Sequence, residues 1–437
     1  MARIAIKTVS YLPDEPFRFK RRDDYIMATK KDIMPDDDFQ MTMTLMEFNN
    51  EYTCWIGMDM ARCDKGFYEV MWEAMSHKTS KIRKDHFFVN GTHTHSGPVF
   101  TKYKEMGPES YFKESMSDLA YHCGDVAVKL YEDLEDQLQE FTSEIKTINI
   151  EGCYSNRNSL NGPCDKNATL IRFKNKGNHE PIGMWFSMNC HSTVTFPENK
   201  YVNSDLVGHI WKNVASFYHV PVMAFCGAQG DTSTRLTRNL DGTENAEIKA
   251  LQRLVENVTN QIVSNKKEYE PITIDRFEVS HFAIGFNYSL DSNVIEESIK
   301  IAENDLNIAK ETNDSELIRA RKTSINALKA KLNLEKEVNR TIGCEAFNLG
   351  ELKFAAISGE LVASLGLKIV RHKRHDHRMV VCYINDRGCG YLVEKEEYGK
   401  SFESLSSVVP IGIPEVITDM AISELDKFDL KNKQVQK

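Results

Sequence analysis

Phe87-Phe88-Val89-Asn90-Gly91-Thr92-His93-Thr94-His95-Ser96-Gly97-Pro98 runs from an apolar strand straight into a histidine-bearing loop. Three apolar residues in a row read as a short buried strand, and Gly91 and the Gly97-Pro98 pair mark turns on either side of the histidines. The same order recurs along the chain. Met184 to Met188 leads to His191, Val222 to Cys226 leads to Asp231 and Ser233, and Phe354 to Ile357 leads to Glu360. Val380 to Ile384 leads to Asn385, Asp386 and Tyr391. Open α/β sheets place their sites at strand carboxyl ends, so these loops are expected to converge on one site.

The rest of the pattern fits that class. Met41-Thr42-Met43-Thr44-Leu45 alternates at period two, Asn49-Asn50 supplies a turn, and Thr53 to Met58 follows as a partner strand. Helical patterns alternate with short apolar strands at Phe87 to Val89, Ile182 to Met188, Val220 to Cys226, Phe354 to Ile357 and Met379 to Ile384. The expectation is an α/β fold of layered mixed β-sheets flanked by helices. From Asp291 to Arg340, Ile295, Ile299, Ala302, Leu306 and Ala309 keep helical spacing, as do Ile318, Ile325, Leu328 and Leu332. Asn313-Asp314-Ser315 between them offers a turn and an N-cap, so residues 291–340 read as an antiparallel helical hairpin inserted in the chain. Its polar tip favours a contact between subunits over a lid, and hence a homo-oligomer through residues 291–340.

A His-x-His pair suits a metal because neutral imidazole nitrogens bind Zn²⁺, and catalytic zinc takes about three protein ligands plus an open position. His93 and His95 sit between turns and carry that reading. His191 alone is evenly balanced between ligand and packing residue. His77, His86, His122, His179, His209, His219 and His281 read as surface or packing residues. The run Arg371-His372-Lys373-Arg374-His375-Asp376-His377-Arg378 is too cationic for a metal and reads as a solvated basic face following a helix over Leu361 to Val370. Gly227-Ala228-Gln229-Gly230-Asp231-Thr232-Ser233 is neither a Walker loop nor a Gly-x-Ser-x-Gly elbow. It is a tight turn whose NH groups and hydroxyl can line a pocket.

The chain has 437 residues, 41% apolar and 27% charged, an ordinary globular composition with a formal charge of −9. That charge disfavours nucleic acid and anionic membrane surfaces as partners. No apolar run reaches the roughly 18 residues of a membrane span, and the N-terminus shows no signal-peptide pattern. Ten cysteines are scattered without a CxxC pair, and Cys54, Cys190, Cys226 and Cys382 stand in apolar runs as reduced thiols. A cytoplasmic location is the expectation.

Asn90 to Pro98 resembles the Thr-His-Thr-His-Ser-Gly-Pro signature of the neutral/alkaline non-lysosomal ceramidases. Further segments resemble that family in its order: Asn156-Arg157-Asn158, Asn189-Cys190-His191-Ser192-Thr193, Gly230-Asp231-Thr232-Ser233, Ser358-Gly359-Glu360, Gly390-Tyr391-Leu392 and Glu396-Glu397-Tyr398. Val99 replaces the family's glycine, and Thr234-Arg235 replaces its Pro-Asn after the serine box. The resemblance implies one catalytic domain over residues 1–437, in a short form without the family's C-terminal Ig-like domain. It implies a zinc site held by His93, His191, Glu360 and Tyr391. His95 and Arg157 would then bind and polarise the scissile carbonyl. Ser233 matches a serine proposed as nucleophile, and Asp231 in the same box is counted with the catalytic residues. Residue chemistry favours metal over serine, because Zn²⁺ brings the pKa of a bound water to about 7 and Ser233 has no evident base.

The resulting expectation is a zinc-dependent amidohydrolase that cleaves an N-acyl amide bond in a small-molecule or lipid-like substrate, ceramide or another N-acyl compound, by a zinc-activated water. The alternatives are a hydrolase of a small soluble amide or ester, and a non-catalytic metal-binding protein.

Overall fold

The computed structural model describes the chain except residues 1, 22–23, 103–111, 196–200, 244, 314, 335–336, 374–376, 386–389 and 436–437. Asp314, Arg374, His375, Asp376 and Asp386, all singled out above, lie outside the described residues.

Two sheets pack face to face between layers of helices. Across the first run β11 (Val222–Cys226), β10 (Pro181–Met188), β9 (Asn167–Asn175), β7 (Gln139–Asn149), β1 (Ala2–Ser10), β4 (Gln40–Phe48), β5 (Glu51–Met58) and β6 (Ile82–Gly91). The short β13 (Glu270–Ile272) also pairs with β7. The second sheet runs β14 (Ile274–Ser289), β15 (Glu337–Gly350), β16 (Leu352–Ile357) and β18 (His377–Cys382). Among the described residues three two-stranded ribbons complete the strand set: β2 (Phe17–Arg21) with β3 (Asp24–Ala28), β8 (Ser155–Asn156) with β12 (Thr232–Ser233), and β17 (Glu360–Leu361) with β19 (Tyr391–Leu392).

Period-two alternation decides which side chains meet between the sheets. On β4, Met41, Met43 and Leu45 point outward, while Met46 and Phe48 join the inter-sheet layer. Asn49 and Asn50 turn β4 into β5 at φ 52° and 70°, the left-handed pair that a two-residue type I′ hairpin requires. Trp55 on β5 sits at the centre of the inter-sheet layer. It stacks on Phe88 at 4.2 Å and meets Phe347 and Phe354 of the second sheet at 5.1 and 5.4 Å between ring centres. Truncating so large a buried ring costs about 3–5 kcal/mol.

Helices cover the outer faces. α1 (Lys65–Lys78) and α2 (Asp118–Glu135) pack on the β1, β4 and β6 side, and α3 (Asp205–Tyr218) packs on β11 with α4 (Ala246–Val263) beside it. α7 (Ala363–Arg371) and α9 (Ile413–Val435) cover the second sheet. The Arg371 to Arg378 run departs from the solvated face expected of it. Arg378 is buried and donates to Asp426 at 2.6 Å, and Lys373 pairs with Asp426 and Asp429 at 2.9 and 2.7 Å. The carboxylates come from α9, far along the chain, so the local sequence shows only half of the cluster.

α5 (Ser292–Glu311) and α6 (Ser315–Leu332) join the adjacent strands β14 and β15. Ile295, Ile299 and Ala302 of α5 bury against Ile325 and Leu328 of α6, and Leu405 of α8 (Phe402–Ser406) packs against this cluster. Val294, Ile301 and Ile308 stay exposed on α5.

Among the described residues four of the strand pairings are parallel: β5 with β6, β10 with β11, β16 with β18, and β17 with β19. Their carboxyl ends open toward one place. The end of β6 is tied there to the segment after β18, where Asn385 donates from its backbone to Val89 at 2.8 Å and accepts from Val89 through Oδ1 at 2.9 Å.

Candidate metal centre

His93 follows β6 in the left-handed region at φ 60°, a conformation that costs a non-glycine residue energy and turns its side chain under the loop. The ring stacks on Tyr383 at 4.0 Å; Tyr383 follows β18 and is itself left-handed at φ 61°. Nδ1 of His93 lies 2.6 Å from the Ala61 carbonyl, and Nδ1 of His191 lies 2.6 Å from the Gln229 carbonyl. A carbonyl only accepts, so both rings carry their proton on Nδ1 and aim the lone pair of Nε2 inward.

Those lone pairs face polar neighbours. Nε2 of His93 stands 3.1 Å from Nε2 of His95, and Glu360 Oε2 lies 3.3 Å from His191 Nε2 and 4.0 Å from His93 Nε2. His191 Nε2 and Glu360 Oε2 are both buried without a hydrogen-bond partner. The ligand nitrogens of His93, His95 and His191 lie within 4.8 Å of one another, a group that could hold a metal ion. Orphaned buried acceptors facing a shared point are what a cation satisfies.

Electrostatics points the same way. Burial and the neighbouring His191 pull His93 down to about 3, and burial with His93 and His191 drives His95 well below the usual histidine range. Both rings are therefore neutral, the form that binds a metal.

Glu360 and Tyr391 are paired in register between β17 and β19, and the Glu360 amide donates to Gly390 O at 2.7 Å. The Tyr391 ring stacks toward His191 at 6.3 Å. Gly230 lets the serine-box loop lie against β17. A Cβ there would stand 2.6 Å from the Glu360 carbonyl oxygen and 2.9 Å from that of Leu361. Arg157 donates to Gly230 O at 2.8 Å, is paired with Glu403, and lies against the Tyr391 and Phe402 rings at 5.4 and 5.3 Å. The Ser233 Oγ accepts from Arg235 N at 3.2 Å. Asp231 accepts from Ala363 N at 2.7 Å and Asn156 Nδ2 at 2.6 Å, and burial pushes it up to about 6.

A cavity of about 160 Å³ opens beside the histidines, lined by His95, His191, Arg157, Ser233 and Tyr391. Its far wall is Arg319, Ala320 and Thr323 of α6, so the helical hairpin borders the pocket. Asp231 instead borders a separate cavity of about 110 Å³ with Asn156 and Glu403.

Solved structures share this architecture. Neutral ceramidase from Pseudomonas aeruginosa superposes with a TM-score of 0.69 over 98% of this chain and 75% of that one, at 13% identity. A ceramidase complexed with C2 matches with the same figures. The fold is ceramidase-like. No family model and no curated protein matches the sequence.

Several participants in this site carried no signal in the sequence. Glu403, which anchors Arg157, lies in a serine-rich stretch. Tyr383 belongs to an apolar run, and the Ala61 and Gln229 carbonyls that fix the histidine tautomers are backbone atoms. Only the register between strands distant in sequence assembles them.

Proposed function

We propose that the chain is a zinc-dependent hydrolase of N-acyl amide bonds. The observation that carries this reading is the pair of inward imidazole lone pairs of His93 and His191 facing the orphaned Glu360 oxygen, beside a pocket that holds His95, Arg157 and Ser233. Likeness to neutral ceramidases supports the substrate class.

In this reading His93, His191, Glu360 and Tyr391 hold the ion. When bound, Zn²⁺ supplies Lewis acidity and brings the pKa of a coordinated water to about 7. The Ala61 and Gln229 carbonyls keep two of the imidazoles in the ligating tautomer. His95 and Arg157 line the pocket as donors for the acyl oxygen as negative charge develops on it. Glu403 and the Gly230 carbonyl hold the Arg157 guanidinium in place. The Ser233 hydroxyl lines the same pocket and handles a proton. Asp231 positions the loop, its two oxygens joining the Ala363 and Asn156 donors.

The test is a metal assay on the purified chain together with a panel of N-acyl amides of graded chain length. One zinc per chain and turnover of at least part of the panel are expected, with both lost in His93→Ala. A protein that binds no metal, or binds it and cleaves none of the amides or matching esters, ends the hydrolase reading. The homo-oligomer through the hairpin belongs to the same proposal, resting on exposed Val294, Ile301 and Ile308. Ile301→Glu should return an assembled chain to monomer in sedimentation equilibrium.

A further inference from the structure

The far wall of the pocket comes from two helices that hold each other. Ala320 and Thr323 belong to α6, and Phe402 opens α8. Lys331 of α6 donates to the Leu405 carbonyl of α8 at 2.9 Å, and Leu405 packs into the apolar cluster of the hairpin. The Phe402 ring meets Tyr391 edge-on at 5.7 Å and lies against Arg157 at 5.3 Å. Side chains packed on both sides yield little to a ligand that presses on them.

Most of the surface exposed in this cavity is carbon. The guanidiniums of Arg157 and Arg319 are paired with Glu403 and Glu247, which leaves their apolar stems to add to the lining. Thr323 donates its hydroxyl to the Arg319 carbonyl at 2.9 Å, within its own helix. A hydrocarbon chain is the ligand such a wall favours, because each buried methylene strengthens binding. An apolar cavity of about 150 Å³ admits a benzene ring, and this one, at about 160 Å³, is of the same size.

A second cavity of about 300 Å³ adjoins the first. Arg157, Arg235, Ala320 and Phe402 border both, so they form the partition between them. Its apolar members are a methyl group on α6 and a ring on α8.

We propose that the substrate carries a short acyl chain, of about six carbons, and that Ala320 and Phe402 set this length. This rests on the hydrolase reading above and narrows it. Hydrolysis then releases a short-chain acid and an amine: the OH of water joins the acyl carbon, the C–N bond breaks, and the nitrogen takes the remaining proton.

The test uses the full chain loaded with zinc and three probes that differ only in acyl length: N-acetyl-, N-hexanoyl- and N-dodecanoylglycinamide. From acetyl to hexanoyl, kcat/KM should rise about 3-fold per methylene, mainly through KM. From hexanoyl to dodecanoyl it should fall 10-fold or more. Ala320→Leu fills the partition and should lower the hexanoyl-to-acetyl ratio about 10-fold. Phe402→Ala opens the first cavity into the second and should raise the dodecanoyl-to-hexanoyl ratio 10-fold or more. Ratios are read within each variant, so a loss of folded protein does not move them. A dodecanoyl probe cleaved as well as hexanoyl, or a profile that neither variant moves, overturns the proposal while the hydrolase reading stands. Where no probe is cleaved, calorimetric binding of the same probes separates the two readings. Tighter binding of hexanoyl than of dodecanoyl supports the wall and removes the hydrolase; equal or absent binding overturns both.

Discussion

At the residue scale the centre is arranged by groups outside the pocket lining: the Ala61 and Gln229 carbonyls and the Glu403 carboxylate. His95 and Arg157 line the cavity, and the reading above gives them the developing oxyanion. His95→Ala and Arg157→Ala should retain zinc and lose about 10²–10³ in kcat for each donor removed. Loss of zinc in His95→Ala would move His95 into the ligand set in place of Tyr391. Ser233→Ala should keep measurable turnover, and an acyl group trapped on Ser233 would overturn the metal mechanism. A second residue cluster lies behind the His93 loop. Lys212 is almost buried between Asp37 and Asp59, at 2.8 and 2.9 Å, and both carboxylates are fully buried. Lys212→Met keeps the volume of the stem and strands the carboxylates, which should cost about 3–5 kcal/mol in denaturant unfolding. A loss under 1 kcal/mol would mean that His209, 3.3 Å from Asp37, suffices alone.

At the element scale one close approach defines the site. Gly230 allows the serine-box loop to lie on β17, so Gly230→Ala should push Glu360 from the histidines and lower zinc content before it lowers global stability. Equal zinc in this variant would show that the loop yields. The hairpin is separable from the sheets in a way the register makes explicit. Ser289 and Glu337 are paired across β14 and β15, so replacing residues 290–336 by Asn-Gly should close a two-residue turn. That variant should fold and bind zinc as before, because no ligand comes from the hairpin. It should change the selectivity among acyl chain lengths, because α6 supplies Arg319, Ala320 and Thr323 to the pocket wall. Unchanged selectivity would assign the hairpin to assembly alone.

At the scale of the whole molecule, buried acids set the pH dependence of folding. Burial opposes ionisation of Asp37, but His209 and Lys212 prevail and hold it below the usual carboxylate range. Its contribution is complete above pH ~4, the unfolded value, and is lost as pH falls below that. Asp231 has the opposite sign. Burial raises it to about 6, so between pH ~4 and ~6 the folded state binds more protons than the unfolded state and stability falls as pH rises. Urea unfolding of the metal-free protein should therefore show greater stability near pH 5 than near pH 7, with a collapse below pH 4. Asp231→Asn should flatten the upper part of that profile, and an unchanged slope in that variant would assign the effect to other groups. Among the described residues no helix is long and apolar enough to cross a membrane.

The sequence by itself determined several of the elements. Period-two runs such as Met41 to Leu45 and the apolar run Phe87 to Val89 can bury their side chains in only one way, and Asn49-Asn50 can turn in only a few. It also marked His93, His95, His191, Glu360 and Tyr391, because polar residues placed directly after buried strands have little other local explanation. Tertiary structure alone decided what surrounds them. The partners Glu403, Ala61 O and Gln229 O, the α9 carboxylates that neutralise Arg378, and the arginine-lined cavity all join segments far apart in the chain. Hydrophobic periodicity reports which face of an element is buried; it carries no information about which distant face it meets. Charge complementarity and cavity shape exist only after the two sheets have packed, so the substrate preference lies in that packing.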